Sequence, residues 1–113
     1  MAYNRTFDIG TLTFDSLSRQ RVLPEIDPRR SSEIWVVGSI EWTGQPEPFT
    51  ARLLSTLDGL VMPSPLIQSD HGNPYRLSLR GDMRAVTDVI LSVGDLPVDE
   101  VLTMDLVAIL SYT

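Results

Sequence analysis

Alternation of apolar and polar residues is clearest in residues 102–113, which read LTMDLVAILSYT. In an extended strand, alternate positions would form a wholly apolar face: Leu102, Met104, Leu106, Ala108, Leu110 and Tyr112. A helix would instead scatter Thr103, Asp105 and Ser111 around its surface. The pattern therefore predicts a long strand. Because nothing follows this strand in the sequence, earlier segments must pair with it, and we expect a fold built on non-local contacts.

Three further segments show strand-like patterns in the middle of the chain. Residues 34–42, IWVVGSIEW, are rich in β-branched and aromatic residues, and residues 49–57 alternate on return from the turn TGQPEP. We expect these two strands to form a hairpin. Residues 75–81, YRLSLRG, predict a half-buried strand with Tyr75, Leu77 and Leu79 facing inward.

The N-terminal residues and the segment 83–93 allow less direct predictions. Residues 1–6 indicate an extended arm, and the strand that follows it shifts its alternation at Gly10, which suggests a bulge. Residues 83–93 fit either a helix capped by Asp82 or a strand. The abundance of β-branched residues and the neighbouring strands favour the strand.

Two segments with prolines and turn formers predict long connecting loops, at 15–32 and 58–74. The first has room for a short extended piece around Val22 and Leu23. Several short strands between glycine and proline turns indicate an all-β fold: a single domain, residues 1–113, organised as an antiparallel β-sandwich or jelly roll. The two long loops suit crossovers between sheets.

Composition removes several classes of chemistry. The chain has no cysteine, so it has no disulfides or thiolate sites, and its nine cations are all arginine, so lysine chemistry is absent. The net charge of −6 argues against nucleic acid as a partner. No signal peptide or apolar run long enough for a membrane span is visible, so we expect a soluble protein with no membrane partner.

Candidate catalytic and metal-binding residues are few. His71 is the only histidine, and its neighbour Asp70 cannot readily converge with it on one ion or substrate. The acidic residues Asp95, Asp99 and Glu100 lack the spacing of a calcium loop. The sequence also has no nucleophile elbow of the GxSxG type. We therefore expect no enzymatic activity, no metal and no cofactor.

The layout of the two ends, MAYNRTFDIGTLTF and LTMDLVAILSYT, resembles that of small bacteriophage virion proteins, especially capsid decoration or cement proteins and minor tail components. This resemblance implies location in a virion and a structural role, in which the protein stabilises a capsid or tail lattice through contacts with lattice proteins and with copies of itself. The candidate contact residues lie in the arm and first strand, in the arginine-bearing loop and at an exposed tryptophan: Tyr3, Arg5, Phe7, Arg19, Arg21, Arg29, Arg30 and Trp42.

A carbohydrate-binding β-sandwich module is the alternative. In that hypothesis Trp42 and Tyr75 form stacking platforms, and Arg76, Asp70 or Asn73 donate or accept hydrogen bonds from the sugar. Such modules need several exposed aromatic side chains, and this chain has few to spare once its core is filled. Trp35 and Trp42 are an odd number of positions apart on one predicted strand, so they should face opposite sides of the sheet. One should lie in the core. Trp42, at the end of the strand, is the candidate for the exposed one, and its burial under one of the long loops is the alternative.

Overall fold

The computed structural model describes residues 3–23, 31–47, 49–57, 60–65, 70–71, 74–82, 88–94, 96 and 98–112. Arg29 and Arg30 lie outside the described residues, as do Asn73 and the segment 83–87. Among the described residues no helix is long and apolar enough to cross a membrane.

The described elements are all β-strands, joined in two antiparallel sheets. In chain order they are β1 (Tyr3–Phe14), β2 (Gln20–Val22), β3 (Ser31–Trp42), β4 (Thr50–Leu57), β5 (Leu60–Pro65), β6 (Asp70–His71), β7 (Arg76–Asp82), β8 (Asp88–Gly94) and β9 (Leu102–Tyr112). One sheet has four strands in the order β1-β9-β3-β7. The other has five, in the order β2-β8-β4-β5 with β6 paired to β4. The predicted all-β sandwich is confirmed.

Strand β9 lies at the centre of the four-stranded sheet, between β1 and β3. Its burial alternates at every residue, and its inward face from Leu102 to Tyr112 packs into the core, as the sequence pattern predicts. Across the core, Leu53 and Leu91 of the five-stranded sheet belong to the same apolar cluster. Each fully buried side chain of this size stabilises the fold by roughly 1.5–3 kcal/mol.

Strand β1 contains the predicted bulge. Its pairing with β9 shifts register between Asp8 and Gly10, and Gly10 has a φ of 82°, a conformation that favours glycine. The pairing continues to Tyr3, opposite Tyr112, so residues 3–6 belong to the strand. The prediction of a separate arm over residues 1–6 is therefore wrong for residues 3–6; their exposed side chains are those of an edge strand.

Strands β3 and β4 do not form the predicted hairpin. Strand β3 pairs with β7 and β9, whereas β4 pairs with β5, β6 and β8 in the opposite sheet. The connection at 43–49 is thus a crossover between sheets. Both sides of β3 are occupied by other strands, which leaves no free edge for β4 even though the two are close in sequence.

The two segments predicted as loops contain short strands. Within 15–32, β2 confirms the expected extended piece. Within 58–74, β5 and β6 each pair with β4, so the prediction of a continuous loop is wrong. Pro63 and Pro65 obscured β5, because proline lacks an N–H group, yet a strand at a sheet edge tolerates this loss.

Strands β7 and β8 agree with most of what was predicted for them. Strand β8 confirms the strand prediction for residues 88–93. Leu77 and Leu79 are buried as expected. The inward orientation predicted for Tyr75 is wrong, because Tyr75 precedes β7 and is 63% exposed.

Candidate functional site: a contact face on the four-stranded sheet

An apolar patch lies on the outer face of the four-stranded sheet. Strand pairing places Trp35 opposite Ile109 and Val37 opposite Val107, so the four side chains are neighbours across β3 and β9. Trp35 is 37% exposed, and the other three are half-buried. We call these four residues the Trp35 patch. Apolar side chains grouped on an outer sheet face contribute nothing to the core and leave a surface that another molecule can cover.

The indole of Trp35 is held in place by residues of β7. Its Nε1 donates a hydrogen bond to Ser78 Oγ at 3.0 Å. The guanidinium carbon of Arg80 lies over the ring, 5.1 Å from its centroid, and Arg80 Nε also pairs with Glu33 Oε1 at 2.5 Å. The ion pair is solvent-exposed and adds little stability by itself. Together these contacts fix the orientation of the ring before any partner binds.

Polar and charged side chains surround the Trp35 patch. Pairing with β1 places Thr6 beside Ile109 and Asp8 beside Val107. On the β7 side, Ser39 and Arg76 line a shallow depression together with Trp35 and Val37. An apolar centre containing tryptophan, with a polar and charged rim, is typical of protein contact surfaces.

The exposed tryptophan is Trp35, and the expectation that it would be Trp42 is wrong. Trp42 is half-buried against the core; its Nε1 donates to the carbonyl oxygen of Pro74 at 3.0 Å, and its ring meets Phe49 edge-on at 6.1 Å. The sequence contained a usable signal. Trp42 shares its strand face with the apolar residues Ile34 and Ile40. The face of Trp35 instead carries three polar residues, Glu33, Ser39 and Glu41.

The candidates at the start of β1 make contacts within the chain. Tyr3 stacks on Tyr112 with ring centroids 5.2 Å apart and an interplanar angle of 16°. The guanidinium of Arg5 lies 4.9 Å from the ring centroid of Phe7, which itself packs against the core. These three residues follow the face of β1 that is turned toward the core, so they are not part of the Trp35 patch.

The arginines predicted as contacts occupy different environments. Arg21 Nη2 donates to the carbonyl oxygen of Thr13 at 2.9 Å, and its guanidinium lies 5.6 Å from the ring centroid of Phe14. Arg21 thus joins the edge of one sheet to the edge of the other. Arg19 is exposed and lines a separate groove beside the five-stranded sheet.

The residues named for catalysis, metal binding or sugar contacts are described only in part, because Asn73, Asp95 and the side chains of Asp70 and His71 lie outside the described set. Within the described part of the chain there is no group of three histidine or acidic residues able to hold a metal ion. Trp42 lies on the core, so it does not form the sugar-stacking platform predicted with the exposed Tyr75.

Comparison with known proteins identifies the fold. No family model matches the chain, and no curated protein matches it. Among solved structures, a Bacillus endospore appendage protein from disulfide-linked pili has a TM-score of 0.50 and 12% identity, covering 99% of this chain and 88% of that one. The SPBc2 prophage-derived protein YomS has a TM-score of 0.50 and 12% identity, covering 98% of this chain and 95% of its own.

Carbohydrate-binding modules share the same architecture. The tandem CBM22 domains of a Paenibacillus barcinonensis protein give a TM-score of 0.56 at 8% identity, covering 99% of this chain but only 39% of that one. The single CBM22-1 xylan-binding domain gives 0.52 at 7% identity, covering 96% of this chain and 94% of that one. At such low identity these similarities show a shared β-sandwich fold, and the site must indicate the function.

Proposed function

We propose that this protein is a structural component of a protein assembly, and that it binds its neighbours through the Trp35 patch. One observation carries the proposal: a partly exposed indole stands among apolar side chains on an outer sheet face, already oriented by Ser78 and Arg80. The first neighbour is a second copy of the chain, whose own patch meets this one. Oriented tryptophans contribute disproportionately to protein interfaces, because little conformational entropy is lost on binding.

A virion is the setting that we propose for this assembly. One structural neighbour, a prophage-derived protein, supports the virion, and another, which belongs to pili, supports a structural assembly; this chain covers 88% or more of each of them. The resemblance of the two chain ends to capsid decoration and minor tail proteins points the same way. A capsid or tail lattice presents many identical surfaces, which would multiply a weak contact through avidity.

Variants that remove single exposed apolar side chains test the proposal. Sedimentation velocity over a range of protein concentrations should show self-association of the native protein and at least tenfold weaker association of Trp35→Ala. Leu17→Ala is the matched control, because Leu17 is 97% exposed and lies outside the patch. We expect Leu17→Ala to associate as the native protein does.

Equal association of Trp35→Ala and the native protein would contradict the proposed contact face. A strictly monomeric native protein at the highest concentration would contradict pairing with a second copy. Circular dichroism of each variant shows whether the fold is intact, so that a loss of association is not mistaken for unfolding.

Carbohydrate binding at the same face is a second candidate function. It is favoured by the depression in which Trp35 lies beside Ser39, Arg76 and Ser78, and by the fold shared with a xylan-binding domain. Two contacts weigh against it: Arg80 lies over the indole ring, and Nε1 already donates to Ser78. Titration with xylan oligosaccharides, followed by tryptophan fluorescence, should leave the spectrum unchanged; a saturable change lost in Trp35→Ala would favour the sugar.

A further inference from the structure

A second surface feature lies on the opposite side of the sandwich, where a polar groove follows the five-stranded sheet. Its polar lining comes from the turn after β1 and from β2, β4 and β8, and includes Ser18, Arg19, Gln20, Thr50, Arg52 and Ser92. The groove is separate from the Trp35 patch, which is on the other sheet.

Strand pairing fixes the floor of the groove. Gln20 and Arg52 are each paired with Ser92, from the two sides of β8, and Gln20 Nε2 donates to Ser92 Oγ at 3.4 Å. Thr50 is paired with Gly94, and a Cβ atom at Gly94 would lie only 2.5 Å from Thr50 Oγ1. The glycine therefore leaves room for the threonine hydroxyl at this end of the groove.

The wall of the groove is a turn closed by its own hydrogen bonds. Asp15 Oδ1 accepts hydrogen bonds from the backbone N–H groups of Leu17 at 2.9 Å and Ser18 at 2.7 Å. Arg19 Nε donates to the carbonyl oxygen of Ser16 at 3.0 Å, which anchors the side chain at one edge. A wall with this many internal contacts is formed before a ligand arrives, which lowers the entropy lost on binding.

The groove carries positive charge in an acidic chain. Arg19 and Arg52 both line it, and no acidic side chain is among its described lining residues, although the chain as a whole has a net charge of −6. Within the described part of the chain, Arg52 makes no hydrogen bond or ion pair, and the terminal nitrogens of Arg19 are likewise unused. Guanidinium groups placed in this way favour carboxylate or sulfate groups, which they can bind through paired hydrogen bonds.

We propose that this groove binds an acidic glycan. The two arginines would bind the carboxylate groups of the sugar chain, and the hydroxyl and amide groups of Ser18, Gln20, Thr50 and Ser92 would exchange hydrogen bonds with its hydroxyls. An acidic peptide satisfies the arginines equally well, but it offers few hydroxyls for the remaining lining. The polar lining thus favours the glycan over the peptide.

Polygalacturonate is a suitable probe, because it carries a carboxylate and free hydroxyls on every sugar. Isothermal titration calorimetry at low salt should show binding that weakens as salt rises. The variant Arg52→Gln should bind about tenfold less tightly or worse, since it loses a charge-assisted hydrogen bond. The affinity of Arg52→Lys should lie between those of the native protein and Arg52→Gln, because lysine keeps the positive charge but lacks the planar guanidinium group.

Arg5→Gln is the matched control. It causes the same change of net charge, but Arg5 is exposed on β1 of the other sheet and lies over the ring of Phe7. We expect the affinity of Arg5→Gln for polygalacturonate to equal that of the native protein. An equal loss in Arg52→Gln and Arg5→Gln would show non-specific charge attraction and overturn the proposal.

Two further ligands distinguish an acidic glycan from a neutral glycan and from an acidic peptide. Neutral dextran should not bind, and poly-glutamate should bind at least tenfold more weakly than polygalacturonate at equal carboxylate concentration. Equal binding of poly-glutamate would overturn the glycan and leave a groove for acidic peptides. Absence of polygalacturonate binding to a folded native protein at low salt would overturn the proposal altogether.

Discussion

Trp42 and Trp35 lie on one strand but serve different purposes. Trp42 packs against the core, meets Phe49 edge-on and donates to Pro74, whereas Trp35 stands on the outer face with a hydrogen bond and a cation–π contact. Every contact of the first side chain stabilises the fold, while the contacts of the second orient a surface.

Alanine substitution should therefore destabilise the fold more at Trp42 than at Trp35. Trp42→Ala leaves a partly filled space beside the core, so we expect a loss of about 2–4 kcal/mol in the free energy of unfolding. Trp35→Ala removes one exposed hydrogen bond and one cation–π contact, for a loss below about 1.5 kcal/mol. Urea unfolding monitored by circular dichroism measures both values. Equal losses would mean that the two environments are assigned incorrectly.

Arg21, one of the predicted contact residues, makes contacts within the chain that join the two sheets. Its guanidinium donates to Thr13 and Ser18 and lies over Phe14, so it ties β2 to the last residues of β1. These partners are uncharged, and the interaction is therefore less sensitive to salt than an ion pair would be.

Substitution of Arg21 should lower stability without changing association. We expect Arg21→Ala to lower the free energy of unfolding by about 1–2 kcal/mol. Arg21→Lys should lower it nearly as much, because an ammonium group cannot donate hydrogen bonds in the fixed directions of a guanidinium group. Arg19→Ala is the matched control. Among the described residues the Arg19 guanidinium bonds only to the carbonyl oxygen of Ser16, so its removal should lower the free energy of unfolding by less than about 0.5 kcal/mol. Thermal unfolding at two salt concentrations tests this. A marked salt dependence of the Arg21 effect would contradict it.

At the scale of strands, two glycines are required for different reasons. Gly38 of β3 is paired with Leu106 of β9, and a Cβ atom there would collide with the backbone oxygen of Asp105 and the side chain of Leu106. Gly10 of β1 has open space around it but a positive φ. One glycine allows two strands to approach, and the other allows a bulge.

These reasons predict that alanine lowers the free energy of unfolding by different amounts at the two positions. Gly10→Ala should cost about 1–2 kcal/mol, which is the penalty of a left-handed conformation. Gly38→Ala should cost more, at least about 3 kcal/mol, because backbone must move to admit the methyl group. Urea titrations of both variants provide the comparison. A Gly38→Ala protein as stable as Gly10→Ala would show that β3 and β9 lie farther apart than described.

The strands also show which features of the fold can be predicted from sequence patterns. Alternation predicted β9 and the inward residues of β7, and the shifted alternation at Gly10 predicted the bulge. Alternation is a property of one strand, however, and it does not reveal which strands become neighbours. The predicted hairpin failed for that reason. The prolines of β5 argued against a strand, because the sequence does not show that, among the described strands, β5 lies at the end of its sheet.

The candidate site could be predicted only in part. The odd spacing of Trp35 and Trp42 correctly predicts opposite faces. The groove was beyond sequence reasoning, because Arg19 and Arg52 approach each other only after β2 and β4 have paired with β8.

At the scale of the whole molecule, the four-stranded sheet joins distant parts of the chain. Strand β9 separates β1 from β3, so the sheet cannot be completed until residues 102–112 are in place. Folds dominated by such non-local pairing fold slowly, on a scale of about milliseconds to seconds. A chain that ends at Val101 should be unfolded, because β1 would lose its only described neighbour. Circular dichroism tests this, and a cooperative unfolding transition in the shortened chain would contradict it.

The most direct test of the proposed contact face is the exposure of Trp35 itself as the protein associates. In the variant Trp42→Phe, Trp35 is the only tryptophan, and acrylamide quenching of its fluorescence reports how much of the ring solvent reaches. If copies meet through the Trp35 patch, quenching should fall steadily as protein concentration rises through the association range. Quenching that stays constant while sedimentation shows larger particles would place the contact elsewhere and contradict the account.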